Sequence, residues 1–315
     1  MANTTFSGPV RSENGFKTIS KTASTGVVHD RTQGFGLMDA RRKYLSESFL
    51  QRPGLNGINV IDPDANDATA LAVTQAANKN FETLGTNYTT ALTTFSATQA
   101  GIVMTTATAD EDQGILLPHL DTNQTAWSGT KWGTENQVEW ECSISLPALD
   151  NQKVWAGLKL TNDQLPQTDA DQAYFYYATD ATNGQLIDNY APWYFIYSVN
   201  GTDYLTNTGI TVAADTNYHF KISIDSDRKP SIFVNGVQYS VTTSAITAFD
   251  GTTSVTGTTQ ATIAANYSAT NANTQKGVAL KNDVNLIPYI GIECGAGAAE
   301  VLNVHYTAIS RHVFE

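Results

Sequence analysis

From about residue 86 to the C-terminus the chain alternates apolar and polar side chains in short runs, separated by turns rich in Gly and Asp. The clearest run is 138–146, where Val138, Trp140, Cys142, Ile144 and Leu146 fall on one face and Glu139, Glu141, Ser143 and Ser145 on the other. That period of two is the signature of a strand buried on one side. Tyr218, Phe220, Ile222 and Ile224 repeat it against His219, Lys221, Ser223 and Asp225, and Leu302, Val304, Tyr306 and Ala308 repeat it near the end. Less regular apolar runs lie at 102–106, 115–117, 154–160, 173–177, 193–199, 231–234 and 288–293. One-sided burial recurring this often predicts two antiparallel sheets packed face to face. Asn235-Gly236 is the dipeptide whose positive φ angles suit a tight type I′ hairpin. One helix is predicted from a cap at Asn66 or Asp67 to about Leu84, with Leu71, Ala77, Phe81 and Leu84 as its apolar stripe and Gly85 as its stop.

The first 52 residues follow no such pattern. They carry eight basic residues (Arg11, Lys17, Lys21, Arg31, Arg41, Arg42, Lys43 and Arg52) against four acidic ones, a surplus of +4. The whole chain totals −12, so the remainder carries −16. Rich in Gly, Ser and Thr and without a long apolar period, the segment has little core of its own. A basic arm on an acidic body suits a docking strand ordered by the surface on which it lies. The expected division is therefore an extended arm over 1–52, a linker with a short helix and a first strand over 53–100, and a sandwich over 101–315. A Thr-, Ala- and Asn-rich insertion interrupts the sandwich at about 244–281.

Composition narrows the function. Charged residues are 15% of the chain, below the usual quarter, while hydroxyl and small residues abound. The acidic body argues against nucleic-acid binding, which needs clustered Lys and Arg. The start Met1-Ala2-Asn3-Thr4-Thr5 is polar, and no apolar run approaches the roughly 20 residues of a membrane helix. The expectation is a protein made in the cytoplasm with neither membrane nor nucleic acid as partner. Cys142 and Cys294 sit at inward strand positions, as reduced buried thiols or as sheet neighbours.

Few residues carry candidate chemistry. Glu139 and Glu141 project from one strand face about 6–7 Å apart, a separation that glycoside hydrolysis uses. The series stops at two, because Ser143 and Ser145 follow, and a pair of solvated carboxylates on an outer sheet face is the plainer reading. Asp62, Asp64 and Asn66 mimic the start of a calcium loop, but Asp67 stands where Gly is needed and Val73 where Glu is needed. Asp110, Glu111, Asp112, Asp169 and Asp171 form acidic turns of the kind that also hold calcium. The five histidines have no metal-ligand spacing, and no phosphate loop or nucleophile elbow is present. Neither catalytic residues, a metal nor a cofactor is expected. Ten aromatic residues crowd into 174–204, and alternation turns half of them outward, toward a subunit interface or toward sugars.

The stretch Tyr218 to Val237, with its Asp225-Ser226-Asp227 turn and its Asn235-Gly236 hairpin, resembles concanavalin-A-like and laminin-G-like jelly rolls. Asp112 to Asp121, Trp155 to Thr161, Asp225 to Arg228, Tyr306 to Arg311 and the opening Phe6 to Ser12 resemble segments of tailed-bacteriophage virion proteins of the capsid decoration (cement) type. That resemblance implies an all-β jelly-roll sandwich on the capsid surface of a virion. It would be a homo-oligomer bound to the major capsid protein and would have no catalytic role. The candidate capsid contacts are Phe6, Arg11, Phe16, Lys17, Lys21, Arg31, Phe35, Arg41, Arg42 and Lys43, with Phe49 a further apolar anchor. A lectin-like module binding host surface glycans is the alternative. An enzyme built on Glu139 and Glu141 comes last.

Overall fold

The computed structural model describes residues 19–21, 28–30, 42–50, 53–55, 78–118, 131–161, 169–179, 192–246, 261–262, 275–295 and 297–313. In chain order the strands are β1 (Ile19–Lys21), β2 (Val28–Asp30), β3 (Arg42–Glu47), β4 (Pro53–Leu55), β5 (Asn78–Leu84), β6 (Thr93–Phe95) and β7 (Ile102–Thr105). Next come β8 (Gln113–Pro118), β9 (Trp132–Gly133), β10 (Glu139–Ser145), β11 (Gln152–Lys159), β12 (Gln172–Ala178) and β13 (Pro192–Val199). The rest are β14 (Thr202–Thr211), β15 (Tyr218–Ile224), β16 (Pro230–Val234), β17 (Val237–Tyr239), β18 (Ala261–Thr262), β19 (Asn285–Cys294) and β20 (Val301–His312). Helix among the described residues is confined to two 3-10 turns, Thr90–Leu92 and Thr134–Asn136.

The strands form two sheets. The first runs β1-β2-β17-β16-β15-β10-β20-β7-β6, with β3 also on β20; the second runs β18-β14-β13-β12-β11-β19-β8-β5-β4, with β9 also on β19. Pairing is antiparallel except between β4 and β5 and between β14 and β18. The inner faces share one core. Its centre is Phe220 of the first sheet, stacked on Phe175 of the second at 4.3 Å and 21° and set edge-on to Trp193 at 4.8 Å and 74°.

The two sheets differ in a way that explains the uneven periodicity. Strand β15 of the first sheet alternates buried and half-buried positions over most of its length, whereas β11 and β12 of the second are buried at every residue. A sheet buried on both faces needs apolar or paired side chains on both, so its strands read as continuous runs. The outward face of the second sheet holds Trp155, Tyr174, Tyr176, Tyr194 and Tyr289 in a second apolar cluster. Trp155 lies across Gly291, where a Cβ would come within 2.5 Å of the indole, and stacks on Tyr289 at 6.3 Å.

The hairpin at Asn235-Gly236 forms as expected, with φ of 50° and 78°. The Asn235 side chain accepts a hydrogen bond from His219 N, which ties the turn to β15. The preceding Asp225 turn is closed by Asp227 N and Lys229 N donating to the carboxylate, with Lys276 Nζ at 2.6 Å.

Four expectations are corrected. Residues 78–84 form strand β5, not the end of a helix: Phe81 enters the core beside Phe49, and pairing with β8 overrides the weak helical pattern. The proposed helix start at 66–77 lies outside the described residues. The described parts of 53–100 supply more than one strand and belong to the sandwich, β4 and β5 in the second sheet and β6 in the first. The arm does not stop at residue 52 as a separate unit, because β2 pairs with β17, and β3 pairs with β20 over six residues. In β20 a register shift leaves His305 without a partner opposite β10, so Tyr306 pairs with Ser143 and Thr307 with Cys142. The shift sends Tyr306 and Ala308 to the outer face and Thr307 and Ile309 inward, as a bulge does.

Of the 244–281 stretch, Ile246 N donates to Asp203 O, β18 pairs with β14, and Val241 N donates to Gln275 O; 247–260 and 263–274 lie outside the described residues. Cys142 and Cys294 are free, buried and on different sheets.

Truncating Phe220 to Ala removes the ring that joins the sheets. The expected loss is about 3–5 kcal/mol of unfolding free energy, read as a lower urea midpoint at unchanged slope.

Candidate functional site

The outer face of the first sheet gathers the polar groups that the sequence singled out. Pairing of β10 with β15 and β20 sets Glu141 opposite Lys221 and Ala308, and Ser143 opposite His219 and Tyr306. Glu139 is the more open carboxylate, with 30% of its side chain exposed, and lies 3.1 Å from Lys221 Nζ, which also sits over the Phe233 ring. Glu141 is buried, and its Oε2 lies 3.5 Å from His219 Nε2. His219 Nε2 is 2.5 Å from the Tyr306 hydroxyl. Burial first, then the charge of Glu141 and the nearby Cys142 thiol, and then a hydrogen bond donated to Glu141 push the Tyr306 phenol far above its ordinary range. The phenol therefore stays protonated and donates to Glu141, and the Nε2–H tautomer of His219 is the one that fits as its donor.

This geometry revises the expectation of two solvated carboxylates. Glu141 is withdrawn from water and bracketed by Tyr306 and His219, while Glu139 is occupied by Lys221. The network binds the outer edges of β15, β10 and β20 together, and the bulge in β20 is what brings Tyr306 to it.

Asp112, Asp169 and Asp171 of the acidic turns are occupied by the chain itself, while Asp110 and Glu111 are exposed. Asp112 accepts from Ala109 N and from Asn87 Nδ2, Asp169 from Leu160 N, Thr161 N and the Thr161 hydroxyl, and Asp171 from Asn200 N. Among the described residues no group of three or more His, Cys, Asp or Glu side chains is arranged to hold a metal. Asp62, Asp64 and Asn66 lie outside the described residues.

Of the proposed capsid contacts, Phe6, Arg11, Phe16, Lys17, Arg31, Phe35 and Arg41 lie outside the described residues, and Lys21 ends β1. Arg42 is turned to the body: its guanidinium donates to Gln137 O at 2.8 Å and to Ser310 Oγ at 2.9 Å. Lys43 beside it is exposed. Phe49 is buried against Phe81, so it anchors the body's own core.

The crowded aromatics also depart from expectation. Tyr174, Tyr176, Tyr194 and their inward neighbours are all buried, and Tyr204 is half-buried, stacked on Tyr197 at 4.5 Å. Tyr190 lies outside the described residues.

Two polar clusters escaped the sequence reading. Lys159 is fully buried, 3.5 Å from Asp169 and 5.1 Å from the centre of the Tyr289 ring. Lys153 meets Glu293 at 2.6 Å, both buried. The available signal was two lysines six residues apart, on one face of a strand otherwise apolar.

No protein-family description and no curated protein matches the chain. Among solved structures, a protein of unknown function from Shewanella oneidensis aligns at 9% identity and a TM-score of 0.45, over 86% of this chain and 87% of that one. Peanut lectin aligns at 10% and 0.42, over 88% and 100%. A Bacillus licheniformis β-glucanase aligns at 11% and 0.41, over 74% and 92%. Likenesses this distant carry no functional argument.

One carboxyl elsewhere is set to report on pH. Burial, with the charge of Asp150, pushes Glu300 up to about 7. The folded state then holds a proton that the unfolded chain releases near its ordinary value, about 4.3. This group's contribution is fully present below that value and declines as pH rises toward 7. Glu300→Gln is expected to remove the decline, so thermal midpoints of variant and parent compared from pH 4.5 to 7.5 should diverge in the variant's favour.

Proposed function

We propose that the chain is a structural, non-catalytic virion component: a concanavalin-A-like jelly roll that decorates a tailed-phage capsid and reinforces the head by binding the major capsid protein. The division of charge carries this reading, +4 within residues 1–52 against −16 in the rest. The likeness of several segments to phage virion proteins supports it. The basic segment is also joined to the body by its own strands, β2 on β17 and β3 on β20. Attachment thus has a firm root, with Arg11, Lys17, Lys21, Arg31 and Arg41 as the basic residues beyond β3 to meet the shell. Exposed ion pairs contribute little singly and weaken with salt. Several copies clustered on a capsid would bind through avidity without tight individual sites. The localisation that follows is the virion surface.

Glycan binding is the second reading. It needs rings open to solvent, and among the described aromatics between 174 and 204 only Tyr204 is even half-open. Attachment is therefore preferred.

Deleting residues 1–52 would strip β3 from β20 and Phe49 from Phe81, so it would damage the body as well as the arm. The sharper test replaces Arg11, Lys17, Lys21, Arg31 and Arg41 with Gln and leaves β3 intact. Unmodified protein should co-sediment with stripped heads of the parent phage at low salt and release at high salt, while the variant stays in the supernatant with an unchanged melting curve. Undiminished binding by the variant would overturn the proposal.

A further inference from the structure

On the outer face of the second sheet, three side chains from three neighbouring strands stand abreast. Lys153 of β11 is the register partner of Glu293 of β19, and Glu293 is the partner of Gln113 of β8. All three are buried, at 7%, 4% and 3% exposure. Glu293 Oε1 accepts from Lys153 Nζ at 2.6 Å, and Oε2 accepts from the Gln113 carboxamide Nε2. Two residues along each strand on the same face lie Trp155, Gly291 and Ile115, of which Trp155 and Ile115 belong to the buried apolar cluster. An amine and a carboxamide are thus held on opposite oxygens of one carboxylate, away from water.

Along their 2.6 Å contact the Lys153 ammonium can pass a proton to the Glu293 carboxylate as a reaction begins. The amine freed by that transfer is a nucleophile. An acid poised on the carboxamide nitrogen is placed to protonate it as it leaves.

We propose that Lys153 and Gln113 join in an intramolecular isopeptide bond promoted by Glu293. Lys153 Nζ bonds to Gln113 Cδ, and the Cδ–Nε2 bond breaks. The Lys153 ammonium gives up two protons, which Glu293 relays to Nε2, and the nitrogen departs as an ammonium ion. Glu293 ends as the carboxylate it began as, and no oxidant or co-reactant is consumed. The product ties β11 to β8 across β19 and closes a covalent loop through residues 113–153, which constrains the unfolded chain as a disulfide does. This inference does not depend on the virion reading.

Mass spectrometry of the full-length folded protein tests it. The expected intact mass is below the sequence mass by about 17 Da, the ammonia lost. Proteolysis should then release one branched peptide containing both Gln113 and Lys153. Succinimide formation at Asn-Gly steps such as Asn235-Gly236 gives the same mass loss but only linear peptides, so the branched peptide decides. Glu293→Gln keeps both reacting groups and removes the proton relay, so linear peptides are expected from it; an undiminished cross-link would overturn the role of Glu293. Lys153→Met should restore the full mass. Only linear Gln113 and Lys153 peptides from the folded parent protein would overturn the proposal, whether or not either variant folds.

Discussion

The stacking of Phe220 on Phe175, with Trp193 edge-on to the same ring, is the contact on which the sandwich depends, because it is where the two sheets meet through their largest side chains. Tyr218, Phe195 and Tyr177 extend the contact in both sheets, at ring separations of 5.4–5.6 Å from Trp193 or Phe175. Aromatic pairs of this kind add about 0.5–1.5 kcal/mol each beyond the area they bury. Their more important effect is geometric. Rings of fixed shape at the centre of both inner faces set which strands of one sheet lie over which strands of the other, and so where each outer face presents its polar groups.

Both outer faces are then stitched by charge. Glu139–Lys221 and the Glu141–His219–Tyr306 network lie on the first sheet; Lys153–Glu293–Gln113 and Lys159–Asp169 lie on or beside the second. A buried charge without a partner is costly, and here each is set beside its counter-charge by strand register or by an adjoining turn. Such pairs are poor substitutes for apolar packing in net energy. They are, however, intolerant of a one-residue slip, which would turn every one of these side chains to the other face.

The N-terminal segment illustrates how a sheet recruits chain that cannot fold alone. Residues 42–47 lack the apolar content to form a core, yet β20 offers a row of backbone groups along its final turn-free length, and six residues pair with it. Arg42 then finds acceptors at Gln137 and Ser310, and Phe49, at a φ of 57°, turns into the core against Phe81. The segment's charge suits a partner, and part of its backbone is already committed to the body.

The sequence by itself determined the all-β, two-sheet class, the strands with clear alternation, and the Asn235-Gly236 hairpin, because each depends on neighbours within a few residues. It also separated a basic N-terminal segment from an acidic body. Tertiary structure alone decided the rest. The helix expected near Phe81 became β5 because β8 supplied a partner, and Tyr306 changed face because a bulge at His305 broke the period. The described aromatics of 174–197 became interior on both sides, because the second sheet is covered on both faces. The two glutamates noticed in the sequence were joined by His219, Lys221 and Tyr306 only once strands far apart in the chain lay side by side. Long-range pairing has no local signature, so the residues it brings together could be read singly from the sequence but not as a site.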